Sequence, residues 1–190
     1  MVQAAAILAG GEGRRLGGRN KALMQVAGTA IVERQLAVLR CYYQDILVVC
    51  KEVSAFSSLA VRAVVDDGPS LGPLSGLATA LRVTQAERLL VLACDLPFVD
   101  DDVVRRLRAE SGSDAVVAKS RTVVQPLCAV YAGTILPLLQ RQLRSGDRSL
   151  TGLLAHLRVQ TIDCDERQLC NLNSAADLAQ ANQRTLGEIW

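Results

Sequence analysis

The sequence predicts a single-domain α/β fold, a Rossmann-like three-layer sandwich with a mostly parallel sheet between two layers of helices. Three observations predict it. Short apolar runs alternate with amphipathic stretches along the whole chain. The apolar runs are continuous, as in strands buried on both faces, and do not alternate with polar residues. The 190 residues suit one compact core and show no internal repeat, linker or low-complexity segment.

The elements follow in order. Residues 4–9 read as a buried strand that runs straight into glycines. Residues 30–39 carry Ile31, Gln35, Val38 and Leu39 at helical spacing. Strands follow over 45–50 and 62–66. A helix over 73–83 has Pro73 in its first turn, where its missing N–H costs nothing. Residues 88–94, Arg-Leu-Leu-Val-Leu-Ala-Cys, form the clearest central strand. A helix over 100–109 begins with acids, where the macrodipole favours them. Strands over 114–118 and 125–131, a helix over 134–143, a short strand over 159–163 and a terminal helix over 174–185 complete the pattern. Ser174 is the N-cap of that last helix, with Asp177 three residues on as a variant capping box.

Composition excludes several classes of function. Net charge is +2 and aromatics are 3%, which leaves neither the basic surface nor the stacking platforms of a nucleic-acid binder. No run is long enough to span a bilayer, and residues 1–9 lack the basic leader of a signal peptide, so a cytoplasmic location is expected. None of the six cysteines forms a C-x-x-C pair, and their apolar settings predict buried, reduced thiols. The single histidine, His156, reads as a packed helix residue. It has no ligand-spaced partner for zinc, and one histidine leaves little room for Ser-His or Cys-His catalysis.

Three motifs carry chemistry. The first is Leu8-Ala9-Gly10-Gly11-Glu12-Gly13-Arg14-Arg15-Leu16-Gly17-Gly18-Arg19-Asn20-Lys21, directly after the first strand. Glycines let successive N–H groups turn toward one point, and Arg14, Arg15, Arg19 and Lys21 add cations, so a triphosphate is the natural guest. The loop fits neither a Walker A pattern nor G-x-G-x-x-G, which fails at Leu16. The second is Ala93-Cys94-Asp95-Leu96-Pro97-Phe98, which puts an acid at a buried strand's end. Mg²⁺ takes one or two carboxylates together with phosphate oxygens and water. The third joins Asp66-Asp67-Gly68 to Gly72-Pro73-Leu74-Ser75-Gly76. All three lie past the carboxyl ends of predicted strands, the edge along which open α/β sheets bind ligands.

These motifs, with Gln125-Pro126-Leu127 and Asn171-Leu172-Asn173-Ser174, resemble in order and spacing the molybdenum cofactor guanylyltransferases of the nucleotidyltransferase superfamily. The resemblance spans nearly the whole chain, residues 1–190 as one nucleotidyltransferase domain. It implies that GTP and Mg²⁺ bind in the cleft, and that the terminal phosphate of molybdopterin attacks the α-phosphorus, giving the guanine dinucleotide cofactor and pyrophosphate. Residue by residue it implies Leu8, Ala9, Gly10, Gly11 and Lys21 as the nucleotide loop. It implies Asp67 as a nucleotide contact, with Asp66 adjacent and the register open between them. Arg15, Lys21 and Asp95 are the implied catalytic groups, with Asp95 also the metal ligand, and Asn171 and Asn173 lie on the pterin side. Asparagines at alternating positions of an extended segment face one side, so both amides are expected to meet one ligand. Cofactor-carrier or acceptor proteins are the implied partners. One departure is Cys50, where the family pattern has an asparagine after the second strand.

The rival readings are a related transferase, such as a molybdopterin cytidylyltransferase or a sugar-phosphate nucleotidylyltransferase, and a non-catalytic nucleotide-binding module. Mere binding does not require an acid like Asp95, which favours an enzyme.

Overall fold

A computed structural model of the chain describes residues 3–10, 20–66 and 72–186. Continuous apolar runs become the strands of a seven-stranded sheet of order β5–β4–β1–β6–β8–β7–β9. These are β1 (Gln3–Leu8), β4 (Asp45–Cys50), β5 (Arg62–Val65), β6 (Arg88–Ala93), β7 (Ala115–Ser120), β8 (Val123–Ala132) and β9 (Val159–Asp163). All pairings are parallel except those of β8, which runs against both β6 and β7.

The period of two along each strand sorts side chains into two cores. Ala5, Ile7, Val48, Leu90 and Leu92 face helices α1 (Ile31–Leu39) and α3 (Asp101–Ala109), through Val32, Leu36, Val103 and Leu107. Ala4, Ala6, Leu8, Val49, Leu89 and Val91 face α2 (Pro73–Thr84), α4 (Leu136–Arg144) and α5 (Leu150–Ala155), through Leu77, Leu81, Leu139 and Leu153. The sandwich therefore has the expected three layers. A smaller cluster of Met24, Val26, Ile31, Phe98, Leu172 and Ala181 docks α6 (Ala175–Leu186) beside the sheet edge.

Some elements differ from expectation. Strands β2 (Gln25–Val26) and β3 (Thr29–Ala30) form a small hairpin around Ala27-Gly28. Both turn residues have positive φ, +50° and +79°, as the twist of a two-residue hairpin requires. Ala27 gives no hint of this, because alanine seldom takes that conformation. The helix expected over 134–143 opens with a 3₁₀ turn, Gly133–Ile135, before α4 proper. His156 is not packed: α5 is short, only Leu153 is fully buried, and His156 ends it in solvent. Of the cysteines, all six are free, but only Cys50, Cys94 and Cys128 are buried, while Cys41 is exposed. Among the described residues no helix is long and apolar enough to cross a membrane.

This topology creates a crevice. From β1 the chain winds one way through β4 and β5, then returns to place β6 on the other side of β1. Strand order thus reverses at β1, the point where open sheets leave a crevice at the carboxyl edge. Because β8 runs antiparallel, it brings its beginning, Gln125 to Leu127, to that same edge.

Candidate active site

The cleft at this edge has a volume of about 450 Å³, within the usual range for small-molecule sites. Leu8 and Gly10 line it at the end of β1, Val49 and Lys51 at the end of β4, Val65 and Asp66 at the end of β5, and Cys94 and Asp95 just past β6. Gly72, Pro73 and Gly76 line it from the first turn of α2, and Leu127 from β8. Gly72 caps α2 with φ +78°, a conformation that glycine adopts without strain. Gly76 lets the helix approach closely, since a Cβ there would lie 3.4 Å from Leu8 Cδ2. The positive end of α2 therefore points into the cleft, where it favours an anion.

Asp95 sits on the turn that ends β6. The Cys94 N–H donates to Leu8 O at 3.2 Å, and the Leu172 N–H donates to Asp95 O at 2.9 Å. Its carboxylate is largely buried: Oδ2 is 3.4 Å from Lys21 Nζ, and Oδ1 has no hydrogen-bond partner among the described residues. Lys21 opens a 3₁₀ turn, Lys21–Leu23, capped by Asn20 Oδ1, which accepts from the Ala22 N–H at 3.0 Å. The Lys21 ammonium also donates to Asn173 Oδ1 at 2.7 Å. Asn173 is held in turn by the cap of α6. Its N–H and that of Ser174 donate to Asp177 Oδ2 at 2.8 and 2.9 Å, and the Asp177 N–H donates to Ser174 Oγ. The Asn173 N–H, then the Ser174 hydroxyl, hold the Asp177 carboxyl below its ordinary value. Cys94 is no nucleophile, because burial pushes its thiol up to about 12.

The structure brings Leu8, Gly10, Lys21 and Asp95 to one cleft. The two asparagines hold different partners: Asn173 Oδ1 accepts from Lys21 Nζ, and Asn171 Oδ1 accepts from Gln125 Nε2 at 3.0 Å. Ala9 turns into the core beneath α1, and its N–H donates to Val49 O at 2.7 Å. Cys50 also faces that core, away from the cleft, and its thiol donates to Val64 O at 3.5 Å. Alternation along β4 puts Val49 and Lys51 in the cleft instead. Asp66 lines the cleft and is tied to α2, with Oδ1 accepting from Ser75 Oγ at 2.8 Å and Thr79 Oγ1 at 2.9 Å. Gly11, Arg15 and Asp67, with Arg14 and Arg19, lie outside the described residues. Lys51 belongs to none of the motifs, and Gln125 belongs to one without a role assigned to it. For Lys51 the signal was available: a cation one residue past a buried strand.

A lysine–carboxylate pair at a parallel-sheet switch point, beside Gly10 at the end of β1 and the N-terminus of α2, suits an α/β nucleotidyltransferase. Residues 5–162 match the MobA-like NTP transferase domain, and the chain belongs to that family. It is 34% identical over 174 residues to a molybdenum cofactor guanylyltransferase of Pseudomonas putida, covering 88% of this chain and 91% of that one. It superposes with a TM-score of 0.81 and 25% identity on molybdopterin-guanine dinucleotide biosynthesis protein A of Archaeoglobus fulgidus, covering 97% of this chain and 99% of that one. A 2-C-methyl-D-erythritol 4-phosphate cytidylyltransferase of Thermus thermophilus is 21% identical with a TM-score of 0.74, over 98% of this chain and 100% of that one, and shares the fold.

Proposed function

We propose that the chain, acting as one domain over 1–190, transfers GMP from GTP to the terminal phosphate of molybdopterin, releasing pyrophosphate. The observation that carries this is the Lys21–Asp95 pair lining the cleft, with Asn173 bonded to Lys21, read with the guanylyltransferase relatives. The acceptor phosphate is already ionised near neutrality, so no general base is required. An oxygen of that phosphate forms a bond to the α-phosphorus, and the bond to the bridging oxygen breaks with its electron pair leaving on pyrophosphate.

What the protein must supply is position and positive charge. Lys21 neutralises the departing phosphates, and the first turn of α2 faces them. Arg15 and Gly11 of the same loop are proposed to take part, as is Asp67 beside the ribose or base. Asn173, through Lys21, and Asn171, through Gln125, border the acceptor side.

The residues fit a divalent cation, because Asp95 Oδ1 is buried and has no hydrogen-bond partner among the described residues. Among the described residues no group of three acidic, cysteine or histidine side chains surrounds a point, so Asp95 would hold Mg²⁺ together with phosphate oxygens. When bound, Mg²⁺ supplies charge neutralisation at the triphosphate. We place the reaction in the cytoplasm, with cofactor-carrier or acceptor proteins receiving the product.

The test is a panel of GTP, CTP and ATP with molybdopterin present, scored for pyrophosphate. GTP is expected to give the highest kcat/KM. A preference for CTP would replace this reading with a cytidylyltransferase, and pyrophosphate release from no nucleotide would leave a binding module.

A further inference from the structure

Helix α1 presents an apolar face of Ile31, Val32, Leu36 and Leu39 to the interior. One residue on that face breaks the pattern. Gln35 is 1% exposed, as buried as the leucine beside it. Its Nε2 donates to Ala93 O at 2.8 Å and to Leu96 O at 3.0 Å, the carbonyls on either side of Cys94-Asp95. Its Oε1 has no hydrogen-bond partner among the described residues. Two carbonyl acceptors permit only one orientation of the amide, with nitrogen toward the turn. A buried amide with half its capacity unused is costly, and a methionine would fill the space without that cost.

The neighbouring Arg34 reaches the same turn, its Nε donating to Pro97 O at 3.3 Å. Without Gln35, Leu96 O and Ala93 O would both lose this donor, and the remaining contact across the turn, Leu96 N–H to Ala93 O, is long at 3.4 Å. The turn would then be free to rotate its peptide groups toward water or the cleft.

We propose that Gln35 is a positioning residue for the Asp95 carboxylate: its amide clamps the two flanking carbonyls, fixing the turn that aims Asp95 into the cleft. This rests on the reading of Asp95 as the metal-holding acid. Gln35 touches neither substrate nor metal. It acts through the backbone, as residues behind a ligand commonly do.

The experiment compares Gln35→Met, which keeps volume and removes both donors, with Gln35→Glu, which keeps shape and sets an acceptor against the two carbonyls. Mn²⁺ binding is measured by electron paramagnetic resonance on the protein saturated with a non-hydrolysable GTP analogue and without acceptor, with thermal melting as a check on folding. Gln35→Met is expected to weaken Mn²⁺ binding about 10-fold, and Gln35→Glu to weaken it further. In turnover the Mg²⁺ half-saturation should rise in parallel, with kcat at saturating Mg²⁺ and metal-free GTP affinity near wild type.

Asp95→Ala is the reference. If it abolishes Mn²⁺ binding while folded Gln35→Met and Gln35→Glu bind as wild type, the positioning role is overturned and the metal reading stands. If Asp95→Ala binds Mn²⁺ as wild type does, the metal reading falls and takes this proposal with it. A Gln35→Met protein that fails to fold leaves the decision to Gln35→Glu, judged by the same affinity.

Discussion

The bond from Lys21 to Asn173 can be isolated by a double-mutant cycle. A hydrogen bond to a charged group contributes about 1.5–3 kcal/mol. This one is short, 2.7 Å, but Asn173 is exposed, so solvent screening reduces its share to about 1 kcal/mol. The benefit is orientation: a lysine carries about 2 kcal/mol of side-chain entropy, and Asn173 restrains part of it before the triphosphate arrives. Asn173→Ala should therefore lower kcat/KM for GTP about fivefold. Lys21→Ala should lower it about 100-fold, as for loss of a group that stabilises transition-state charge. In the Lys21→Ala background, Asn173→Ala should cost almost nothing more, because the group it orients is gone. Asn171→Ala, whose side chain bonds Gln125 and not Lys21, should leave kcat/KM for GTP unchanged. The assay is pyrophosphate release at varied GTP and saturating acceptor. If Asn173→Ala costs the same fivefold with and without Lys21, the two residues act independently and the reasoning is refuted.

Three other outcomes follow from the same geometry. Asp95→Ala should lose metal-dependent turnover yet keep the wild-type circular dichroism spectrum; wild-type rates with magnesium still required would remove Asp95 from the site. Cys50→Asn should leave the ratio of kcat/KM for GTP and CTP unchanged, because Cys50 faces the core under α1. Burying an amide there should instead destabilise the fold by about 2 kcal/mol, a fall in Tm of about 6 °C, read by calorimetry. At the sheet's other end, Arg158 holds the Asp114 carboxyl down at about 2, against an ordinary value of 3.8. A depressed carboxyl contributes stability that is present above the ordinary value and lost as pH falls toward 2. Urea titrations at pH 5 and pH 2.5 should therefore show a smaller loss of stability for Asp114→Asn than for wild type, and equal losses would discount the pair.

Much of the fold was legible because burial on both faces leaves a local mark. A strand covered by helices must be apolar at consecutive positions, so residues 45–50 and 88–93 announce themselves. The acid at the end of β6 and the glycine-rich loop after β1 were legible for the same reason, since a strand's carboxyl end is where its apolar run stops. Hydrogen-bond partners distant along the chain leave no such mark. Lys21 and Asn173 are 152 residues apart, and nothing near either one names the other. Face is also decided only in three dimensions. Alternation says that Val49 and Cys50 point oppositely, but whether the cleft takes one or the other depends on which helix covers which side. That packing turned Cys50 away from the site and put Lys51 in it. It also gave Gln35, at a core position of its helix, two carbonyls to hold, because α1 lies against the end of β6.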